Sequence, residues 1–338
     1  MANRSESDVK KKMVANRVKR ESRIARQRSV IVAICFVVVL LLCLYLFLII
    51  SQVASVIHAN RGNPQSETQD GGNDTGKLLE DQTLILDSKD YHSGLLIQIG
   101  KSSPFDFSAN AFLEEQLEAI PSNSPYFELG TYSPIYSPKY LNKTALDALT
   151  EMLKTFYEQT GHDDMTIVSA WRSESDQAAL NADTSTIKAG ESEYHSSYSV
   201  GLKILDRSTS ASYKMYVDKP EYGEWMDANA YKFGYILSEP DQESKTRYYE
   251  QTFRYVGVAA STYMYNNNLS FSEYLKAIRK TSADGDHFSA IIGNMVYESY
   301  YVPATGDVTI LTIPATYNYT YSGDNLQGFI VTYWYQTA

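Results

Sequence analysis

From Val30 to Ile50 the chain runs through twenty-one residues without a formal charge. A helix rises about 1.5 Å per residue, and about 20 apolar residues cover the hydrocarbon core of a bilayer. A cleavable leader has a shorter apolar region, of roughly 7–15 residues, followed by small residues at a cleavage site. This run is longer, and no A-x-A pattern follows it. It predicts an uncleaved transmembrane helix over 29–52, so whatever folds after it must do so on one side of a membrane.

Charge assigns the sides. Residues 1–28 carry ten Lys/Arg and three Asp/Glu, leaving twenty basic and thirty-seven acidic groups of the chain's thirty and forty for the remainder. Basic flanks stay in the cytoplasm, which predicts a basic cytoplasmic segment 1–28, a single-pass cell-membrane protein and an extracellular C-terminal domain. The flank is compatible with anionic lipid, at ~1 kcal/mol per cation near the surface. Its confinement to a membrane-proximal tail, and the acidic remainder, argue against nucleic acid as a partner. Both cysteines, Cys35 and Cys43, fall inside the span. No disulfide can staple the ectodomain, which fits a bacterial exterior.

Residues 53–81 are polar, rich in Gly, Asn, Gln and Ser, and without hydrophobic period. They predict a flexible linker with an r.m.s. reach of roughly 30 Å. Beyond them, 83–99 alternates and breaks at Ser93-Gly94, predicting a hairpin of TLILDS and LLIQI. Leu146, Leu149, Met152, Leu153 and Phe156 form a helix-spaced stripe over 144–157. Met165 to Ala170 predicts a strand, and helices are expected over 172–181, 224–233 and 271–280, the last capped by 268–270. A strand is expected over 253–258. From about Met295 the pattern changes to short β runs, MVYESYYV, DVTILTI, YNYTY and GFIVTYWY, rich in tyrosine, of which the chain has twenty-eight. Tyrosine suits half-buried strands and wet contact surfaces alike. These boundaries divide the globular part into a domain over 82–283 and a small β appendage over 284–338.

Three stretches carry the chemistry: VSAWRSESDQ (168–177), GESEYHSSYSVGL (190–202) and YYEQTFRYVG (248–257). In order and spacing they resemble the motifs of VanY-type D-alanyl-D-alanine carboxypeptidases, zinc peptidases that trim the stem peptide of the bacterial cell wall. The second family motif reads roughly G-x-S-E-H-x-T-G-x-A-x-D and the third E-P-W-H-x-R-Y-V-G. The resemblance covers roughly 90–280, with WMDANAYKFGYILSEP (225–240) similar to the run before the third motif. It implies an α+β fold, a small antiparallel sheet flanked by helices.

The resemblance also shows what has changed. Tyr194 stands where the first zinc histidine belongs, Gly201 at the zinc aspartate, Thr252 at the second histidine and Tyr249 at the general-base glutamate. A catalytic zinc site needs three protein ligands and an open position. A phenol with a pKa near ~10, a hydrogen and a neutral hydroxyl do not make one. The expectation is a degenerate member with no metal and no catalytic residue, although zinc is the family's cofactor. A competing reading relocates the metal to His195 and Asp206, with Glu250 as base, Glu193 also close in sequence and His287 further off. A one-residue slip in a strand turns side chains to the opposite face, which opposes this.

What is retained points to recognition. By resemblance, Arg172 matches the arginine that anchors the substrate's terminal carboxylate, and Ser169, Gln177 and Ser192 match polar positions of the same pocket. An arginine fork pairs with a carboxylate bidentately. The same residues could instead bond backbone and hold the motif together. Three functions remain: a non-catalytic binder of peptidoglycan stem peptide or another carboxylate-ended peptide, an interaction scaffold for cell-wall or division proteins, and an active carboxypeptidase with a rearranged metal site. Arg254-Tyr255 in the third motif is assigned to packing and register.

Overall fold

The computed structural model describes residues 81–130, 139–183, 187–208, 212–214, 219–238, 251–314 and 316–337. The expected segments 1–28, 29–52 and, apart from residue 81, 53–81 lie outside them. No helix among the described residues is long and apolar enough to cross a membrane.

The first strand, β1 (Asp81–Asp87), does not turn back onto 95–99 as its alternation predicts. It pairs antiparallel with residues 308–314, from Asp81↔Pro314 to Asp87↔Val308. The short strands β2 (Leu117–Ala119), β3 (Glu128–Leu129) and β4 (Tyr140–Asn142) follow, and β2 pairs with β4. Helix α1 (Lys143–Thr160) buries the predicted stripe and runs slightly beyond it. The Asn142 side chain accepts the Thr144 N–H at its start, and Gly161, at φ 73°, closes its end in the left-handed region that glycine favours.

Next come β5 (Met165–Ser169), α2 (Glu174–Asp183), β6 (Ser199–Asp206), β7 (Ser212–Lys214), α3 (Pro220–Asn229), β8 (Tyr235–Leu237) and β9 (Gln251–Tyr255). The sheet order is β3-β5-β6-β9-β8, with β7 joined to β6. The expectation of an antiparallel sheet needs one correction: β3 runs parallel to β5. A chain returning to the sheet along the same direction needs a crossover, and α1 lies between those two strands in sequence. Leu149, Met152, Leu153 and Phe156 of α1 pack against Ile167, Val200, Leu202 and Phe253 of the sheet in one core. At about 25 cal/mol per Å² of apolar surface, each such side chain contributes roughly 1.5–3 kcal/mol.

Helices α4 (Val258–Asn267) and α5 (Phe271–Ile278) follow, the second opened by a capping box between Ser270 and Glu273. The remaining strands are β10 (Phe288–Ile292), β11 (Met295–Pro303), β12 (Val308–Pro314), β13 (Asn318–Gly323) and β14 (Gly328–Gln336). Four of them form a second sheet of order β10-β11-β14-β13. Its two faces are both covered. Tyr301 and Ile330 share a core with Leu275 and Ile278 of α5. Their strand neighbours Tyr300 and Phe329, pointing the other way, share one with Leu86 of β1 and Leu311 and Ile313 of β12. The expected boundary at 283/284 is therefore crossed by both cores.

The turn between β13 and β14 ties this sheet to residues 91–104. Asn325 Nδ2 donates to the carbonyls of Gln98, Ser103 and Pro104 at 2.8, 3.1 and 3.1 Å, and its Oδ1 lies 2.7 Å from His92 Nδ1. Gly323 must be glycine, because a Cβ there would stand 2.1 Å from the Tyr91 carbonyl oxygen. From the other side Arg254 of β9 donates through Nη2 to Leu95 O at 3.1 Å and Ile97 O at 2.7 Å. Side chains thus take carbonyls that a strand over 95–99 would have used.

Candidate functional site

The three motifs converge on the middle of β6. Gly201 faces Ser169 of β5 on one side and Thr252 of β9 on the other. A register shift between Ile167 and Ser169 bends the end of β5 at this point. Tyr194 comes from a 3-10 turn, Glu193–Ser196, that leads into β6. The turn closes through Ser197 at φ 65°, a left-handed conformation in which a Cβ is strained and glycine is favoured. The family pattern has glycine at that position.

Tyr194 is 7 % exposed. Its hydroxyl lies 3.0 Å from Thr252 Oγ1. The Arg172 guanidinium sits 4.2 Å above the Tyr194 ring, within cation–π range. Arg172 Nη2 donates to Ser169 Oγ and Nη1 to Gln177 Oε1, both at 3.1 Å. Gln177 is fully buried and donates in turn to Ile187 O at 2.9 Å. The structure therefore brings together Arg172, Ser169, Gln177, Tyr194, Gly201 and Thr252. Ser192 is buried at the base of the turn, where its carbonyl accepts the His195 N–H and its hydroxyl does not cap the turn. Tyr249 and Glu250 lie outside the described residues.

These donors do not fit zinc. Gly201 contributes no side chain, and the two hydroxyls that flank it are hydrogen-bonded to each other. Neutral hydroxyls are poor ligands where zinc takes imidazole, thiolate or carboxylate. The relocated site is not assembled either. His195 is fully buried. Its Nε2 accepts the Gly190 N–H at 3.1 Å, which leaves the proton on Nδ1 to donate to Arg172 O at 2.8 Å. The rings of Phe105 and Phe107 pack against it at 5.8 and 4.9 Å. Glu193 Oε2 accepts from Ser199 Oγ at 2.9 Å and Ser238 Oγ at 2.6 Å. Asp206 is five residues along β6 from Gly201, roughly 17 Å away at strand rise, and pairs with Lys214. His287 bonds Glu298 and Tyr333 in the second sheet. Among the described residues no three His, Cys, Asp or Glu side chains are placed to hold a metal ion.

The role of His195 as a buried link under Arg172 is not visible in sequence, because its partners are backbone groups. It has a measurable consequence. Burial pushes its pKa below the ordinary value, and the Arg172 carbonyl acts in the opposite direction. The unfolded chain takes up a proton near pH ~6.5 that the folded chain refuses, so stability falls as pH drops through that value. The slope approaches ~1.4 kcal/mol per pH unit until the folded pKa is reached. Denaturant unfolding of the protein and of His195→Gln between about pH 8 and pH 5 should show a shallower loss in the variant; equal slopes would contradict a buried neutral imidazole.

Residues 138–258 match the family model described as VanY, D-alanyl-D-alanine carboxypeptidase. Over 278 residues the chain is 26% identical to a D-alanyl-D-alanine carboxypeptidase of Enterococcus faecium, covering 80% of this chain and 84% of that protein. A second D-alanyl-D-alanine carboxypeptidase, from Enterococcus faecalis (strain ATCC 700802 / V583), is 22% identical over 220 residues, 63% of this chain and 72% of that one. Among solved structures, the vancomycin resistance D,D-dipeptidase VanXYg, in complex with a D-Ala-D-Ala phosphinate analog, superposes with a TM-score of 0.57 at 21% identity. It covers 76% of this chain and 100% of that one. This last likeness is one of fold.

Proposed function

Residues 138–258 are a domain of the VanY D-alanyl-D-alanine carboxypeptidase family, and from that premise we propose that the protein binds the carboxylate terminus of a peptidoglycan stem peptide without hydrolysing it. The observation that carries the reading is the Tyr194–Thr252 hydroxyl pair at 3.0 Å, directly beneath Arg172, at two positions that the motif resemblance aligns with the family's ligands. Ser169 and Gln177 hold the guanidinium in place before any ligand arrives. Such preorganisation lowers the ordering cost of binding. VanXYg, which shares the fold, holds a D-Ala-D-Ala analog, in keeping with a peptide terminus as ligand. The domain acts outside the cell, anchored by a single span over 29–52 with the basic segment 1–28 in the cytoplasm.

A second reading is favoured by the same contacts. Arg172 is already engaged by Ser169, Gln177 and the Tyr194 ring, as expected if the pocket is structural and the protein is a scaffold for cell-wall or division proteins. One experiment separates the readings. The full-length protein in detergent micelles is added to a pentapeptide ending in D-Ala-D-Ala, and the terminal alanine signals are followed by NMR. The binding reading expects broadening without release of free D-Ala, weakened about tenfold or more by Arg172→Ala. Unchanged spectra favour the scaffold. Release of D-Ala overturns both and returns the active carboxypeptidase with a rearranged metal site.

A further inference from the structure

The turn that carries Tyr194 is held in a costly state. Its closing residue, Ser197, is fully buried at φ 65°, where a Cβ is disfavoured. The side chain gains nothing in return, because its Oγ is buried with no hydrogen-bond partner among the described residues. The bonds that close the turn are long. The N–H groups of Ser197 and Arg172 both donate to the Tyr194 carbonyl, at 3.3 and 3.4 Å, outside the usual range of about 2.7–3.2 Å. Backbone strain of this kind gathers at ligand clamps and switches.

The Tyr194 side chain is what keeps the turn closed. Ser169, Gly201 and Thr252 stand side by side on β5, β6 and β9. Tyr194 crosses that row. Its ring lies under the Arg172 guanidinium, itself bonded to Ser169, and its hydroxyl reaches Thr252. Gly201, in the middle, has no side chain to compete for the place. A peptide carboxylate that approaches Arg172 over this row meets the phenol first. His195, bonded to Gly190 and Arg172, anchors the middle of the turn. Any opening is therefore confined to Tyr194, whose carbonyl carries both long bonds, and to Ser197.

We propose that Tyr194 is an autoinhibitory plug: it swings off Thr252 and Arg172, Ser197 relaxes from its left-handed conformation, and a carboxylate-ended peptide takes the vacated place. The inference rests on Arg172 as the ligand's anchor and adds that the closed form binds poorly. Apparent affinity scales with the open fraction, so changes to the plug alter binding while Arg172 stays intact. The test follows the pentapeptide ending in D-Ala-D-Ala by ligand-observed NMR, with the full-length protein in detergent micelles. Thr252→Val keeps the shape of the side chain and removes the hydroxyl that holds the phenol; it should tighten binding about fivefold. Ser197→Gly relieves the closed turn; it should weaken binding by about the same factor and raise the denaturation midpoint. The opposed signs separate a plug from a wall of the pocket, since loosening a wall would weaken binding. Binding that is unchanged or weaker in Thr252→Val, or unchanged or tighter in Ser197→Gly, overturns the plug and leaves the Arg172 reading standing. No binding in the parent, in either variant or in Tyr194→Ala overturns both.

Discussion

Replacing Arg254 with alanine should cost about 3–5 kcal/mol of stability, the sum of a buried large-to-small cavity and two buried carbonyls left without their charged donor. Arg254 is 3 % exposed and lies over the Phe271 ring at 4.6 Å. Burial lowers its pKa to about 10, with Glu193 and Tyr198 acting in the opposite direction, so it stays charged at neutral pH. Its Nη2 is shared by the carbonyls of Leu95 and Ile97, in a segment where Leu96 and Ile97 are buried. Alanine leaves two carbonyls without their donor and opens a void beside Phe271. Arg254→Met should cost less, about 1–3 kcal/mol, because it restores volume and leaves only the carbonyls unsatisfied. Denaturant unfolding checks the order. Equal losses would mean that the void contributes nothing, and no loss in either variant would mean that the tie to 95–97 is not structural.

Placing zinc-type ligands at the three positions that the sequence resemblance aligns with the family's ligands should have the other large effect. The triple variant Tyr194→His, Gly201→Asp, Thr252→His is expected to bind zinc about a thousandfold more tightly than the parent. Structural zinc sites bind with an apparent ~10–16 kcal/mol once their ligands are right. Positions 201 and 252 are directly opposite in the β6–β9 register, where Cβ atoms stand about 4.5–5.5 Å apart. Position 194 already reaches 252 through its hydroxyl. Metal analysis after dialysis against zinc decides the matter. A parent protein that retains one zinc per chain would show that a donor set other than these three positions is at work. Hydrolysis should remain weak even in the variant, since the groups that orient zinc ligands have no counterpart among the hydroxyl partners present.

Helix α1 was legible because periodicity reports a buried face, though the stripe over 144–157 stops short of the Asn142 cap and the left-handed Gly161 that bound it. The proximity of Tyr194, Gly201 and Thr252 was legible because the order and spacing of the three motifs place them together, and the structure brings the three to one point of the sheet. The partner of β1 was not legible. Alternation in TLILD reports which face is covered and says nothing about which strand covers it, and the nearby LLIQI is a plausible mate until Arg254 and Asn325 claim its carbonyls. Strand β3, two residues long, has no period to read. The place of His195 was invisible for a related reason. Its two hydrogen bonds go to the Gly190 N–H and the Arg172 carbonyl, groups that every sequence contains. Arg279 and Asp324 lie 45 positions apart, and nothing local marks them as a pair.

The pairing of β1 with β12 also sets a timetable for the newborn chain. Ser88 and Thr309, hydrogen-bonded at the margin of that pairing, are 221 positions apart. At about 5–20 residues per second of synthesis, β1 waits roughly ten to forty seconds for its mate. Throughout that interval Leu86 has no core to enter, since Leu311, Ile313 and Phe329, its packing partners, are made last. A polypeptide cut short before position 308 keeps an unsatisfied strand over 81–87, open to holdases and proteases. Completion of this core thereby reports that translation has passed β14.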